Sequence, residues 1–443
     1  MRLLVLPAAL IALLSGSATS GDSARPLQLV EAGSPAAKPL AWLWQGAGAR
    51  VTTIDRSRLT AIRPRSARLG AVDAWAFAPD GSGLAVAAHA NANSPDPDSI
   101  RVVRLPSLKL VPKAVRLDGS ARTLLWSHPD RIVALVGYCC PDTAAIDIVD
   151  PLTQRVLERH ELDGAVVAVG RAADSLVLLA APSRAIGASR LLVVAADGRL
   201  RTVGLERISS GYFWPDASTN PIGTQRIPAL AVGRANGRAY VIAADGLAAE
   251  IDLSTLVVSY HELAAPRSLV ARLTGWLQPS AEAKGLNGPA RQARWLGDGL
   301  IALTGTDETA IRDAGGQDSF SSEPAGVAIV DTRDWTVRML DRGADSATIA
   351  DDALLVTGRS WSSASQQTHG MGLAAYGPDR ALRFRLWPGT SAWVQAVWAG
   401  RGFVEVTGAA NARTFVVDLA SGRVIGKRVS PVPVPLLGDG PDS

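Results

Sequence analysis

Cysteine is nearly absent: the 443 residues hold two, and they are adjacent, Cys139-Cys140 in VGYCCPD. So few thiols exclude a disulfide framework and leave no ligands for a Cys-rich structural zinc site. Histidine is also sparse, with five residues (His89, His128, His160, His261, His369) scattered along the chain. None has the i, i+4 spacing of a helical metalloprotease motif. No G-x-S-x-G elbow, phosphate-binding P-loop or dinucleotide fingerprint occurs, which removes the commonest hydrolase and nucleotide-enzyme signatures. Lysine is scarce, the formal charge is only +4, and no basic stripe is interleaved with aromatics, so nucleic acid is not an expected partner. After Leu14 there is no apolar run long enough to cross a membrane.

What the chain has in quantity is Ala, Gly, Val and a recurring phrase. An apolar stretch meets a Gly/Asp/Asn turn and a second apolar stretch follows. After an irregular gap comes an apolar run that ends near Asp, then a further strand-like piece. Ala74–Ala88 (AWAFAPDGSGLAVAA) with Ser99–Leu117, and Arg226–Leu263, are clear copies. The pieces are too short for helices and rich in Val, Ile, Leu and Thr, which is strand chemistry. A repeat of roughly 45–55 residues built from four short strands is the pattern of a β-propeller. The expectation is therefore an all-β fold, a β-propeller of four-stranded blades. Seven blades are expected, with the N-terminal strands joining the closing blade so that no edge stays open; eight is the alternative.

The organisation read along the chain has four parts. Residues 1–20 read as a signal peptide, with a basic start, a short apolar core and small residues at Ala18-Thr19-Ser20. Residues 21–40 are a flexible lead-in, 41–430 the propeller and 431–443 a C-terminal tail. The Pro-alternating SPVPVPLLG of that tail reads either as a last extended strand or as a polyproline-like segment. The leader implies an exported protein, periplasmic or extracellular, with no membrane span after cleavage.

Loop lengths give the copies a direction. Turns between first and second strands (PDGSG, HPD, RANG, GDG) are tight, as are those between third and fourth (DPLTQ, DLST, DTRD, DLASG). Both sets fall on one end of the ring. Long segments fall on the other: His89–Asp98, Cys139–Thr143, Pro182–Ser189, Thr306–Ala325 and Arg359–Gly370 within units, Glu206–Gln225 and Ala264–Ala290 between them. Insertions gathered on one face of a repeat array mark a binding face. Candidate binding residues there are Cys139, Cys140, Trp214, Arg226, Arg294 and Trp361, with Tyr212 and Phe213 beside Trp214.

Several groups carry open alternatives. The Cys pair reads as a structural vicinal disulfide, a redox-active or ligand-contacting one, or two free thiols. His89 with Asp96 and Asp98, and Asp307/Glu308 with Asp313 and Asp318, offer oxygen-rich sets suited to calcium. Neither follows the regular calcium-loop spacing, so solvated acidic loops are the reading, with no metal and no cofactor expected. Asp73, Asp345, Arg226, Arg291, Arg294 and Gln395 lie at or just before first strands, which line a propeller's channel. Trp75, Trp126, Trp295 and Trp398 recur on first strands and read as packing between blades.

Phe77–Gly83 (FAPDGSG, then LAVAA) resembles the F-x-P-D-G turn of WD40-like and translocation-protein-type propeller repeats. Ala239–Leu256 resembles the Y-V-x-N type of repeat, similar to surface-layer proteins and quinoprotein amine dehydrogenases. The adjacent Cys pair is similar to that of quinoprotein methanol dehydrogenases. The resemblance implies the repeat framework and no particular activity. The functional expectation is an exported β-propeller binding or scaffold protein, monomeric, that engages a protein or small ligand through the long-loop face. The alternative is a propeller enzyme of lactonase or quinoprotein-oxidoreductase type at the channel mouth. A third option is a structural envelope protein with no small ligand.

Overall fold

The computed structural model describes residues 41–44, 49–55, 60–89, 98–105, 107–137, 143–213, 222–264, 285–312, 318–350, 352–365, 367–398, 400–407, 412–429 and 433–436. Every regular element among them is a β-strand. Strands follow one another antiparallel, as in Arg131–Gly137 against Ser120–His128 and Thr143–Asp150. The second strands are apolar along their whole length because they are covered on both faces: Ile132–Val136 and Leu176–Ala181 are buried throughout.

Successive units stack face to face, and most of the apolar cores draw on two of them. Ala85, Ala87 and Ile100 of one unit pack with Leu124, Trp126 and Ile132 of the next. Leu125, Val133 and Ile146 then pack with Leu176, Leu178 and Leu192. Farther along, Tyr240 and Ile242 meet Ile301, Val330 and Trp335, with Trp295 stacked on Tyr240 at 5.2 Å between ring centroids. No unit buries its apolar surface alone, the physical reason the phrase must repeat. Trp126 and Trp295 pack between units as expected.

The blade count needs correcting. The hydrogen bonding draws neither seven nor eight separate four-stranded blades; the described strands form five sheets of 8, 4, 14, 4 and 4 strands. Nor do the N-terminal strands complete the last unit, since Ser391–Trp398, Arg401–Thr407, Ala412–Asp418 and Val424–Val429 make a four-stranded sheet of their own. Instead Ala41–Trp44 pairs with Pro433–Leu436 on one side and Ala49–Asp55 on the other. Sheets merge because some strands outrun a blade. Thr60–Phe77 spans 18 residues and pairs first with Ala49–Asp55, then with Gly83–His89. Leu200–Phe213 spans 14 and likewise takes a second partner. An extended strand that leaves its blade still needs partners for its N–H and C=O groups, and a neighbouring extension supplies them.

Two further expectations are not carried by the described structure. Cys139 and Cys140 lie outside the described residues, so no vicinal cysteine pair is part of the described structure. The proposed leader, residues 1–20, also lies outside, and nothing in the described structure marks export or secretion. Among the described residues no helix is long and apolar enough to cross a membrane.

Candidate functional site

The two ends of the stacked units are built differently. At the plain end, many turns are closed by an aspartate that accepts backbone N–H groups a few residues on. Asp150 Oδ1 takes Leu152 N at 2.7 Å and Thr153 N at 3.0 Å. Asp252 Oδ1 takes the Ser254 hydroxyl at 2.5 Å and the Thr255 N–H at 2.9 Å. Those bonds, led by the one from Ser254, hold the Asp252 carboxyl down to about 2. An open groove lies at this end between Val111–Lys113 and Leu152–Arg155, with Leu152 80% exposed.

At the other end, segments expected as long loops are hydrogen-bonded ribbons. Within Thr306–Ala325, Leu300–Arg312 pairs with Asp318–Pro324 from Thr306↔Pro324 to Arg312↔Asp318. Within Arg359–Gly370, Ala353–Ser362 and Gln367–Tyr376 stay paired up to Ser362↔Gln367. The ribbons then join edge to edge. Gly211–Phe213 pairs with Thr224–Arg226, and Ile222–Thr224 runs parallel to Gly285–Asn287. Gly288–Arg291 pairs with Gly305–Glu308, and Ser321-Ser322 with Trp361-Ser362. One uninterrupted path of strand pairing therefore runs from Phe213 to Trp361.

Side chains pin this path. Arg291, almost wholly buried, donates to the Thr306 carbonyl at 2.6 Å and to Asp307 Oδ1 at 2.5 Å. Burial draws its guanidinium below the ordinary value, against the pull of Asp307. Asn287 Oδ1 accepts Ala310 N–H at 2.5 Å, and Ser363 Oγ accepts Phe320 N–H at 2.6 Å. Strands come close where glycine permits it: Gly305 has φ +143°, and a Cβ there would run into the Ala290 carbonyl oxygen.

The expected site residues are divided by this geometry. Trp361 lies on the ribbon and is 38% exposed; Phe213, at the opposite flank, is 49% exposed. Tyr212 is half-buried, and burial raises its phenol while Arg122 opposes the shift. Arg226 ends Ile222–Arg226, half-buried, opposite Gly211. Arg294 is half-buried opposite Ala302, in the body of its unit away from the ribbons. Trp214, Cys139 and Cys140 lie outside the described residues. Trp393, 64% exposed on Ser391–Trp398, is an exposed aromatic outside the expected set. Its only sequence signal was its place two residues before Gln395, where that strand bulges.

A second constellation lies at the same end as the ribbons. Gly83–His89 finishes there, and Ser99–Arg104 begins. Thr60–Phe77 pairs Val72 with Ala88 and Ala74 with Ala87, which leaves Asp73 as the extra residue of a β-bulge. A bulge re-aims the side chain it carries, and Asp73 Oδ2 comes within 2.8 Å of His89 Nδ1. Asp98 Oδ1 lies 3.1 Å from the same nitrogen. Asp98 is fully buried, its Oδ2 accepts the Ala121 N–H at 2.7 Å, and its backbone bonds Gly119 and Leu117. Burial raises the Asp98 carboxyl, helped by the like charge of Asp73 and opposed by Ala121 and His89. For His89, burial pulls the imidazole down, but the Asp73 charge and the carboxylate hydrogen bonds outweigh it, and the net shift is upward.

The calcium-type sets take a different form from the one expected. His89 and Asp98 do come together, with Asp73 as their third member; Asp96 lies outside the described residues. In the other set, Asp307 is held by Arg291 and Glu308 accepts from Ser322 at 2.8 Å. His261 is stacked on Trp335 at 4.1 Å, a packing position.

No protein-family model and no curated protein matches this chain. Solved structures do. Dihydro-heme d1 dehydrogenase NirN in complex with DHE is similar with a TM-score of 0.55 and 14% identity, over 93% of this chain and 78% of that one. The WD40 domain of Toxoplasma gondii coronin has a TM-score of 0.40 and 12% identity, over 81% of this chain and 92% of that one. BamB from Moraxella catarrhalis has a TM-score of 0.41 and 10% identity, over 80% and 87%. At such identities the likeness is one of fold. Together with the face-to-face stacking of antiparallel units, the first of these likenesses supports a distant β-propeller fold; the WD40-like and Y-V-x-N repeat types that the turn residues resemble are not singled out.

Proposed function

We propose that this chain is a β-propeller binding protein that engages a protein or small ligand through its ribbon end. The observation that carries the reading is the unbroken strand pairing from Phe213 to Trp361, with an exposed aromatic at each flank. A rigid surface with exposed aromatics and a polar Ser/Thr/Glu rim has the composition of a binding patch. Loops held only by their own turns would pay more ordering entropy on association than strands already paired. Small-molecule chemistry at the channel mouth, of lactonase or quinoprotein type, is the second reading. Its support is the convergence of Asp73, His89 and Asp98 at the same end.

The test is differential capture. Immobilised wild-type protein, a Phe213→Ser/Trp361→Ser variant and a Leu152→Ser variant are exposed to the same extract of the source cells. Retained species are then quantified. The reading expects a species held by wild type and Leu152→Ser and reduced by about 10-fold or more in the double variant. Loss in Leu152→Ser alone would move the binding surface to the plain-end groove and overturn it.

A further inference from the structure

We propose that Asp73, His89 and Asp98 form a binding site for a divalent transition-metal ion of the zinc class. The inference stands apart from the ribbon-end reading. His89 Nδ1, Asp73 Oδ2 and Asp98 Oδ1 converge, with the ligand atoms all within 4.8 Å of one another. One imidazole nitrogen and two carboxylate oxygens are a mixed donor set, which favours zinc and its neighbours over calcium or magnesium. Calcium needs six or more oxygens, and this constellation supplies two carboxylates. Zinc accepts three protein ligands and keeps its fourth position for water or a ligand. Two carboxylates and a neutral imidazole balance the charge of a dication.

The site is built, and that separates it from a chance acidic cluster. Asp98 is fully buried, with its second oxygen on the Ala121 N–H at 2.7 Å. Such outer bonds orient metal ligands and set their basicity. Asp73 enters through a β-bulge, a device that costs a ladder position and re-aims one side chain. Asp73 is also the accessible member, which gives an ion its entry path. Without metal, one Nδ1 proton can bridge the two carboxylates; zinc would take its place, with ligand separations opening from 2.8 and 3.1 Å to about 3.4 Å. The proton balance is simple: as Zn²⁺ binds Nδ1, the Nδ1 proton leaves, passing by way of solvent to Nε2 from the neutral ring and to bulk water from an imidazolium.

The experiment uses the full chain, freed of metal by chelator and dialysed against Zn²⁺. Zinc content is then measured by elemental analysis, and Co²⁺ is read by its visible absorption. Asp73→Asn and His89→Gln are the test variants, and Asp80→Asn, in a plain-end turn, is the control. The expected result is about one zinc per wild-type chain, with a Co²⁺ spectrum typical of low coordination. Affinity should fall by about 10-fold or more in both test variants and stay unchanged in the control. Circular dichroism establishes that each variant is folded, and Asp73, being exposed, can be changed without opening the core. Equal zinc retention by wild type and Asp73→Asn, or no retention by folded wild type, would overturn the proposal.

Discussion

Tyr376 donates its phenol hydroxyl to Asp341 Oδ2 at 2.7 Å, and Arg385 reaches the same oxygen at 2.9 Å. The triad joins Gln367–Tyr376 and Leu382–Leu386 to Asp341 at the end of Thr336–Asp341, tying the two units at one end of the fourteen-stranded sheet.

That bond gives a pH prediction. Burial, then the hydrogen bond to Asp341 and its charge, pushes the Tyr376 phenol from 10.0 up to about 12. The folded state thus favours the protonated phenol. Its contribution is fully present below the unfolded value of 10.0 and is lost as pH rises through about 12. Unfolding free energy should decline across that window, and Tyr376→Phe should flatten the decline. The Phe variant should also lose about 1–3 kcal/mol near neutrality, because Asp341 loses a buried donor. Denaturant titrations at a series of pH values check both.

The ribbon path should be sensitive to a single methyl group. Gly305→Ala places a Cβ on the Ala290 carbonyl oxygen at φ +143°. A loss of about 2–4 kcal/mol is expected from strain and strand separation. Gly237→Ala, also at positive φ (+63°) but with open space around it, should cost only about 1 kcal/mol. Equal losses in chemical denaturation would show that close strand approach does not matter at Gly305.

Arg291 should matter more than its single charge suggests. It is buried between the Thr306 carbonyl and Asp307. Arg291→Met strands two acceptors, so a loss of about 3 kcal/mol is expected. Removing Asp307 as well should recover part of it. A double-mutant cycle with Asp307→Asn reads the coupling.

The framework was legible because its cause is local. Ile132–Val136 and Leu176–Ala181 can be apolar throughout only if both faces are covered, and tight Asp turns mark the plain end. The ribbons were not legible. Asp318–Pro324 (DSFSSEP) has no apolar alternation, and its pairing is decided by backbone groups seeking partners. Merging of sheets through such strands is what defeated the blade count. The site was half legible: His89 and Asp98 flank one insertion, and their nearness was readable. Asp73 was not assigned to them, because its direction depends on a bulge set by register with Gly83–His89.

The most direct measurement of the binding claim is hydrogen–deuterium exchange of the full chain with and without the partner that capture retains. The account predicts new protection in residues 208–213, 300–312 and 353–362, with exchange unchanged in 109–116 and 150–155. Protection confined to those plain-end residues, with the ribbon strands unaffected, would contradict it.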